Sequence, residues 1–368
     1  MSNRADQRQI ENLSQMLAPP GSGILNPSPP SASVQQESLA WQETLNRLPQ
    51  SAPTTPLLLG IPSDSGGGLH GGSNHGPQAI RSQLALTKES VPCIDLGDVK
   101  VVPQLLDDQL LNATTIARVQ TALYNNPHSS LPVSPLSITA EVSAELQRLL
   151  PNRPLLALGG DHSISYPLIA NYLKHKKGQG KKIAVIQFDA HTDLLSDRFG
   201  LDITFGSWAS HIIPLLAHPS HLIQIGLRHS SLTPTQWQQR LGVTQIWCDQ
   251  IFEQGVVAIA KQLNQLLSQE RIDEIYLTFD IDALDPSYAP ATGTPVAQGL
   301  SLEQPIIILN ALANNYPIGG ADLVEVAPYI DWSGDGNGYQ TTLLSASTIA
   351  KQLLLILSNG VRRSTTGD

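Results

Sequence analysis

The sequence is poor in cysteine and lacks long apolar runs. Its two cysteines, Cys93 and Cys248, form no CxxC pair, so reduced thiols are favoured over a disulfide, as is usual in the cytoplasm. No uninterrupted apolar run reaches the roughly 18 residues that a membrane helix needs. The first residues lack the apolar segment of a secretory signal. We therefore expect a cytoplasmic protein with no membrane partner.

Positive charge is also scarce. Lys and Arg number 22 against 31 Asp and Glu, which gives a formal net charge of −9. Nucleic-acid binding needs a basic surface, so this balance argues against a nucleic-acid partner. It is compatible with a small cationic substrate. The hydrophobic share of 41% allows a sizeable core.

Residues 1–55 differ in composition from the rest of the chain. Five prolines between positions 19 and 30 stand among Ser, Gly and Gln. Such a segment buries too little apolar surface to offset its ordering entropy. The composition predicts a disordered N-terminal extension over 1–55, with a short amphipathic helix around Leu39–Leu48, and a catalytic domain over 56–368.

After Pro56, short apolar runs alternate with longer helical patterns. The predicted strands are Leu57–Ile61, Leu155–Leu158, Ile183–Phe188, Leu222–Ile225, Gln245–Trp247, Glu274–Phe279 and Gly320–Val326. The predicted helices are Ile138–Leu150, Tyr166–Lys174, Gly255–Ser268, Leu302–Asn314 and Ser345–Ser358. Because the strands are apolar throughout, they indicate a mostly parallel sheet that helices cover on both faces. Ligands of such sheets bind beyond the carboxyl ends of the strands.

Three of these strand ends carry His and Asp at close spacing. The residues are His162; Asp189, His191 and Asp193; and Asp280 and Asp282. In an extended chain, residues two apart point to the same side, so each group converges. The pattern predicts that all six side chains meet in one pocket.

Clustered carboxylates are costly to bury unless a cation neutralises them. Imidazole with carboxylate, and without thiolate, suits Mn, Fe, Ni or Zn. Six side chains are too many for one catalytic ion, whereas two ions about 3.5–4 Å apart fit. A lone Asp after a strand is more often a turn or cap residue, which is our interpretation of Asp285.

The strand-end motifs resemble the signature motifs of the ureohydrolase (arginase/agmatinase) family. They include Gly-Gly-Asp-His-Ser, Phe-Asp-Ala-His-Thr-Asp and Phe-Asp-Ile-Asp-Ala-Leu-Asp-Pro, in the family's order, and the likeness runs from about Leu57 to Leu355. The resemblance implies a three-layer α/β/α fold of the arginase type. It also implies two Mn²⁺ ions, with Ni²⁺ as the alternative, and a homo-oligomer, either trimer or hexamer.

The resemblance also implies how the ligands are shared. One ion would be held by His162, Asp189, Asp193 and Asp280, and the other by His191, Asp189, Asp280 and Asp282. Asp189 and Asp280 would then be the bridging ligands. Asp193 would further stabilise the tetrahedral intermediate that forms when hydroxide attacks a guanidinium carbon.

Three further residues are candidates for the substrate side of the site. Glu325 matches the family's guanidinium-binding Glu, and paired N–H···O bonds make a carboxylate suited to that task. His211 is the candidate proton shuttle and substrate contact, although its loop is longer than expected and a structural role stays open. Thr292 would contact substrate or serve a turn.

The substrate itself is less well determined. Arginases resemble one another in an Asn two residues after the second motif, and here that position is Leu195. This favours an agmatinase-type reaction, which releases urea and an amine from a guanidino compound. The alternatives are an arginase, a guanidinobutyrase, a guanidine hydrolase, a formiminoglutamate hydrolase and a non-catalytic, metal-bound regulatory paralogue.

Overall fold

A nine-stranded sheet forms the centre of the protein. The structure is a computed structural model, and it describes residues 2–25, 32–68, 70–87, 90–330, 332 and 336–364. The strands are β1 (Leu17–Ala18), β2 (Leu57–Ile61), β3 (Ile94–Val99), β4 (Leu155–Gly159), β5 (Ile183–Phe188), β6 (Leu222–Leu227), β7 (Thr244–Trp247), β8 (Glu274–Asp280) and β9 (Ile318–Val324). Their spatial order is β1-β3-β2-β4-β9-β8-β5-β6-β7. All pairings are parallel except that of β1 with β3.

Helices cover both faces of this sheet. They are α1 (Ser2–Met16), α2 (Ala32–Asn46), α3 (Gly76–Ala85), α4 (Ala113–Tyr124), α5 (Pro135–Leu149), α6 (Ser165–Gly178), α7 (Trp208–Ile212), α8 (Pro234–Leu241), α9 (Cys248–Gln254), α10 (Val256–Gln269), α11 (Glu303–Ala313) and α12 (Gly338–Ser364). Two apolar clusters fill the space between the layers, one on each face. The predicted three-layer α/β/α fold is confirmed.

The seven predicted strands are all present, with ends that differ by two residues at most. The sequence interpretation missed β3, which reads Ile-Asp-Leu-Gly-Asp-Val. Its polar residues look unlike a buried strand, but Arg81 of α3 forms ion pairs with Asp95 and Asp98. Gly97 is required because its φ is +83° and a Cβ there would lie 2.0 Å from the Ala18 carbonyl oxygen.

The N-terminal extension, for which the composition predicts disorder, contains the helices α1 and α2 within its described residues. Helix α1 ends in Leu13 and Met16, which are fully buried, and the amide of Asn12 donates to Glu145 of α5 at 2.9 Å. The indole N–H of Trp41 on α2 donates to the Leu96 carbonyl at 2.8 Å. A few apolar residues thus dock both helices on the sheet, which composition alone does not reveal. The helix predicted around Leu39–Leu48 lies largely within α2. The predicted domain boundary at 55/56 remains a prediction.

Helix α12 contains the most apolar long segment among the described residues. By length and composition, Gly338–Asn359 could span a bilayer, yet 61% of its most apolar window is buried within the protein. Ala346, Ile349 and Leu353 are fully buried on its inner side. Such burial is that of a core helix.

Both cysteines lie in the described part of the chain and are free thiols. Cys93 is half-buried on the approach to β3. Cys248 is buried at the start of α9, where its thiol donates to the Gly226 carbonyl at 3.1 Å. Burial raises the pKa of each thiol to about 11, so both stay protonated at neutral pH.

Candidate metal centre

The candidate centre lies at the carboxyl ends of four neighbouring strands, β4, β9, β8 and β5. His162 follows β4, Asp189 follows β5 directly, and Asp280 is the last residue of β8. Because parallel strands end at one edge of a sheet, these residues meet although they are far apart in sequence. The structure brings all six predicted ligands together there: His162, Asp189, His191, Asp193, Asp280 and Asp282.

The first group of ligand atoms surrounds His162. Its Nδ1 atom lies 3.2 Å from Oδ2 of Asp189, 3.0 Å from Oδ2 of Asp193 and 3.2 Å from Oδ2 of Asp280. This nitrogen is buried and makes no hydrogen bond of acceptable geometry to any of them. A buried polar atom without a hydrogen bond destabilises the fold unless another partner, here a cation, occupies the space.

The opposite nitrogen of His162, Nε2, is a hydrogen-bond donor. Nε2 lies 2.9 Å from the Thr278 hydroxyl, and that hydroxyl donates its proton to Asp322 at 2.6 Å. Since the hydroxyl proton is already donated, Nε2 must donate its own. Nδ1 is then the nitrogen that faces the three carboxylates, which raise the pKa of the ring well above its usual value against the opposing effect of burial. When a metal displaces the Nδ1 proton, the lone pair of this nitrogen is directed at the carboxylates, as metal binding by imidazole requires.

The second group of ligand atoms surrounds His191. Its Nδ1 atom lies 3.0 Å from Oδ2 of Asp282 and 3.6 Å from Oδ1 of Asp189. Asp189 therefore belongs to both groups, with Oδ2 facing His162 and Oδ1 facing His191. The Thr294 hydroxyl donates to Oδ2 of Asp282 at 3.1 Å and holds it in place.

Two residues of the centre have strained backbones. Asp193 has a φ of +52° and Glu325 a φ of +62°, in the left-handed region that non-glycine residues seldom adopt. Asp193 is held by the indole N–H of Trp208, which donates to its Oδ2 at 2.7 Å. Such strain persists only where the surroundings enforce it, and it is concentrated at functional sites.

Electrostatics favour a cation here. Asp189, Asp193, Asp280 and Asp282 are all nearly inaccessible to solvent. Burial, together with the charge of Asp189, raises the pKa of Asp193 to about 6. Burial and the charges of Asp282 and Asp189 raise the pKa of Asp280 well above its usual value. Divalent ions would remove this repulsion, so the donor set fits a dinuclear centre of imidazole and carboxylate ligands.

Glu325 lies beside the centre, directly after β9. Its Oε1 accepts the backbone N–H of His162 at 2.8 Å, and the residue is only 8% exposed. Its Oε2 lies 3.9 Å from the place that a Cβ on Gly293 would occupy. Burial and the charge of Asp161 raise the pKa of Glu325 well above its usual value. A cationic group next to Oε2 would reverse that shift.

Thr292 lies close to Glu325, in the loop after β8. It is fully buried, and its Oγ1 has no hydrogen-bond partner within the part of the chain that the structure describes. Its carbonyl accepts the indole N–H of Trp332 at 2.9 Å. A buried hydroxyl without a partner is expected where a ligand completes the hydrogen bond.

The structure does not bring His211 together with the ligands. Its Nε2 lies 2.9 Å from the Ser196 carbonyl oxygen, and its ring faces Tyr166 in a separate surface cavity with Asp202. Among the described residues, none of these contacts reaches a metal ligand. His211 is three residues from Trp208 on α7. The Trp208 indole contacts Asp193, whereas the His211 ring contacts Ser196 and Tyr166.

The sequence interpretation overlooked His229, which follows the carboxyl end of β6. Its ring contacts that of His191 edge-on, with 5.3 Å between ring centroids, and it is exposed to solvent. The rule that identified the ligands, namely polar residues just after buried strands, applies to His229 as well. His218 and His221 precede β6 and therefore lie at the opposite edge of the sheet.

Comparison with known proteins identifies the family. The model of the Arginase family matches residues 55–355. An agmatinase from Citrobacter koseri is 31% identical over 328 residues, which cover 85% of this chain and 90% of that protein. An agmatinase from Enterobacter sp. is 30% identical with the same coverage.

Solved structures lead to the same family. The proclavaminate amidino hydrolase from Streptomyces clavuligerus has a TM-score of 0.64 at 25% identity, covering 85% of this chain and 94% of its own. A hypothetical agmatinase from Burkholderia thailandensis has a TM-score of 0.63 at 27% identity, covering 84% and 87%. A formimidoylglutamase from Bacillus subtilis has a TM-score of 0.62 at 24% identity, which indicates a shared fold alone.

Proposed function

The chain belongs to the arginase family of metal-dependent hydrolases, and on that premise we propose that it hydrolyses a small cationic guanidino compound to urea and an amine, as an agmatinase does. One observation carries this proposal. The buried carboxylate of Glu325 accepts a hydrogen bond from the backbone of the ligand His162, so its free oxygen lies beside the metal centre. A planar cation bound there would present its carbon to the ions.

We propose two Mn²⁺ ions as the occupants, with Ni²⁺ as the alternative. The ligands would be the six residues of the candidate centre, namely His162, Asp189, His191, Asp193, Asp280 and Asp282. Bound there, such a pair supplies hydroxide at neutral pH, because the pKa of metal-bound water falls from 15.7 to about 7.

The protein's own groups then have separate tasks. Glu325 binds and orients the guanidinium, because its charge is complementary and its position is fixed by the His162 N–H. Asp193, held by Trp208, provides negative charge where the guanidinium becomes tetrahedral. Thr292 offers to a substrate N–H a hydroxyl that has no hydrogen-bond partner among the described residues.

The surroundings favour a substrate without a carboxylate. Leu195, at the position where arginases carry Asn, is half-exposed and offers no side-chain hydrogen bond. The guanidinium of Arg228 donates to backbone carbonyls, including those of Gly226, Asp282 and Val296, and so is engaged within the fold. An arginine carboxylate beside Leu195 would therefore gain no hydrogen bond from that side chain.

A urea-release assay tests this proposal. Metal-free enzyme is reloaded with Mn²⁺ or Ni²⁺ and given agmatine, arginine, guanidinobutyrate or guanidine at equal concentration. We expect urea from agmatine with Mn²⁺, little urea from arginine, and no urea after exhaustive chelation. Formiminoglutamate is assayed in parallel for formamide release, because formamide from that compound would indicate a formiminoglutamate-type hydrolase. Metal-loaded protein that binds these compounds without turnover would favour a regulatory paralogue.

We propose His229, ahead of His211, as the group that protonates the leaving amine. The contact of His229 with His191 and its exposure to solvent support this assignment. Replacing His229 with Asn is expected to lower kcat by about 10²–10⁴-fold, the usual contribution of a positioned acid or base, without changing metal content. The matched change of His211 to Asn is expected to alter kcat little. The opposite ranking of the two variants would restore His211 as the shuttle.

A further inference from the structure

A row of polar side chains crosses the sheet directly beneath the ligands. Gln187 on β5 is in register with Gln224 on β6, and Gln224 is in register with Gln245 on β7. Gln187 and Gln224 are fully buried, and Gln245 is half-buried near the sheet edge. We call these three residues the glutamine ladder. On the same face, two residues before Gln187 and Gln224, stand the buried apolar residues Val185 and Leu222.

The glutamine ladder forms a continuous chain of hydrogen bonds. The indole N–H of Trp247 donates to the Gln245 carbonyl oxygen at 3.2 Å. The Gln245 amide donates to Gln224 at 2.8 Å, and the Gln224 amide donates to Gln187 at 2.7 Å. The Gln187 amide donates in turn to Oδ2 of Asp189 at 2.7 Å. The chain thus begins near the edge of the sheet and ends on a candidate bridging ligand.

The two ends of this chain determine its direction. An indole N–H can only donate, whereas an ionised carboxylate can only accept. Each amide between them must accept on one side and donate on the other. All three amide dipoles therefore point the same way, with their N–H groups towards Asp189. Hydrogen bonds aligned in this manner strengthen one another.

The consequence for Asp189 is a fixed orientation. Its Oδ2, which receives the Gln187 N–H, is the oxygen that faces His162. Its Oδ1 accepts the backbone N–H of His191 at 2.6 Å. Gln224 also donates to the Thr192 carbonyl at 2.5 Å and so holds the loop that carries His191 and Asp193. Each oxygen is thereby kept towards a different group of ligands.

We propose that the glutamine ladder positions Asp189 as the bridge between two divalent ions and so sets how tightly the centre holds them. The inference rests on the proposed dinuclear function. A merely structural row would not need amides, because apolar side chains fill the neighbouring positions of the same face. Removing one buried amide leaves its neighbour in the chain without a partner and lowers the stability of the fold under either role. Metal affinity therefore distinguishes the two roles.

Three matched variants of the full-length protein test the ladder. Gln187→Met removes the amide that contacts Asp189, and Gln245→Met breaks the chain at a residue that touches no ligand. Gln120→Met is the control, because Gln120 is a half-buried glutamine on α4 that donates to the Ser129 carbonyl. Mn²⁺ affinity is measured on metal-free protein by competition with a chelator, and thermal unfolding is recorded for the same samples.

We expect Mn²⁺ binding to weaken by about 10–100-fold in Gln187→Met, as for other residues that orient metal ligands. Gln245→Met should weaken it less, and Gln120→Met should leave it unchanged. Wild-type affinity in both ladder variants would overturn the proposal, as would an equal loss in the control. If Gln187→Met does not fold, the Mn²⁺ affinity of Gln245→Met alone tests the proposal. Wild-type protein that binds two Mn²⁺ but releases no urea would refute the proposed function and leave this comparison valid.

Discussion

Replacing Asp280 with Asn should abolish turnover and lower the metal content below two ions per chain. Oδ2 of Asp280 lies 3.2 Å from Nδ1 of His162, and its Oδ1 accepts the N–H of Asp282 at 2.8 Å. The amide keeps the shape but not the charge that a bridging ligand needs. We expect activity to fall by about 10³-fold or more, because water activation depends on the intact metal pair. Urea assays and elemental analysis of the same preparation measure the two effects.

The metal-free form of this variant should change in the opposite direction. Burial and neighbouring carboxylates raise the pKa of Asp280, so its ionised form destabilises the folded protein at neutral pH. Asn carries no charge, and metal-free Asp280→Asn should therefore unfold at a higher temperature than the metal-free wild type. Asp285→Asn is the control, because Asp285 accepts the Ser287 and Gly299 N–H groups in the following loop. Full activity in Asp280→Asn would contradict the bridging role.

Replacing Glu325 with Gln should separate substrate binding from metal binding. Gln retains an oxygen that can accept the His162 N–H, so the centre should keep its metal. It lacks the charge that pairs with a guanidinium. We expect kcat/KM for agmatine to fall by about 10²–10³-fold, the usual effect of removing one partner of a buried charge pair. Steady-state kinetics and metal analysis test both expectations.

Glu274→Gln is the matched control for Glu325→Gln. Glu274 is equally buried but lies at the start of β8, at the opposite edge of the sheet, where it pairs with Lys176 and Lys181. Its replacement should lower the unfolding temperature and leave kcat/KM unchanged. An unaltered kcat/KM in Glu325→Gln, with metal content intact, would exclude Glu325 as the guanidinium-binding group.

The sequence alone predicted the main strands and where the chemistry would lie. Strands such as Ile183–Phe188 are apolar throughout, and that pattern is local. The spacing of His162, Asp189 and Asp280 after such strands indicated one edge of a parallel sheet. The sequence interpretation did not predict strand β3 or helix α1, because the residues that stabilise these elements are distant in sequence. Arg81 makes the carboxylates of β3 tolerable, and Asn12 finds Glu145 of α5.

Other parts of the site depended on strand order. Strand β9 is last in the sequence but lies between β4 and β8. The position of β9 between these strands puts Glu325 against His162. It also places Asp322 where its carboxylate accepts a hydrogen bond from the Thr278 hydroxyl. No local pattern encodes which strands are neighbours. The position of His211 likewise followed from how α7 packs, with Trp208 inwards, and not from its spacing to Asp193.

The sequence by itself determined the class of fold and the six candidate metal ligands, because these depend on residue type and on periodicity along a strand. Glu325 became a candidate through the resemblance of its motif to that of a known family. Tertiary structure alone decided which atoms face one another. It ordered the strands, oriented His162 through Thr278, aligned the glutamine ladder on Asp189 and set His229 beside His191. These arrangements depend on register and packing between distant segments, which act only once the chain has folded.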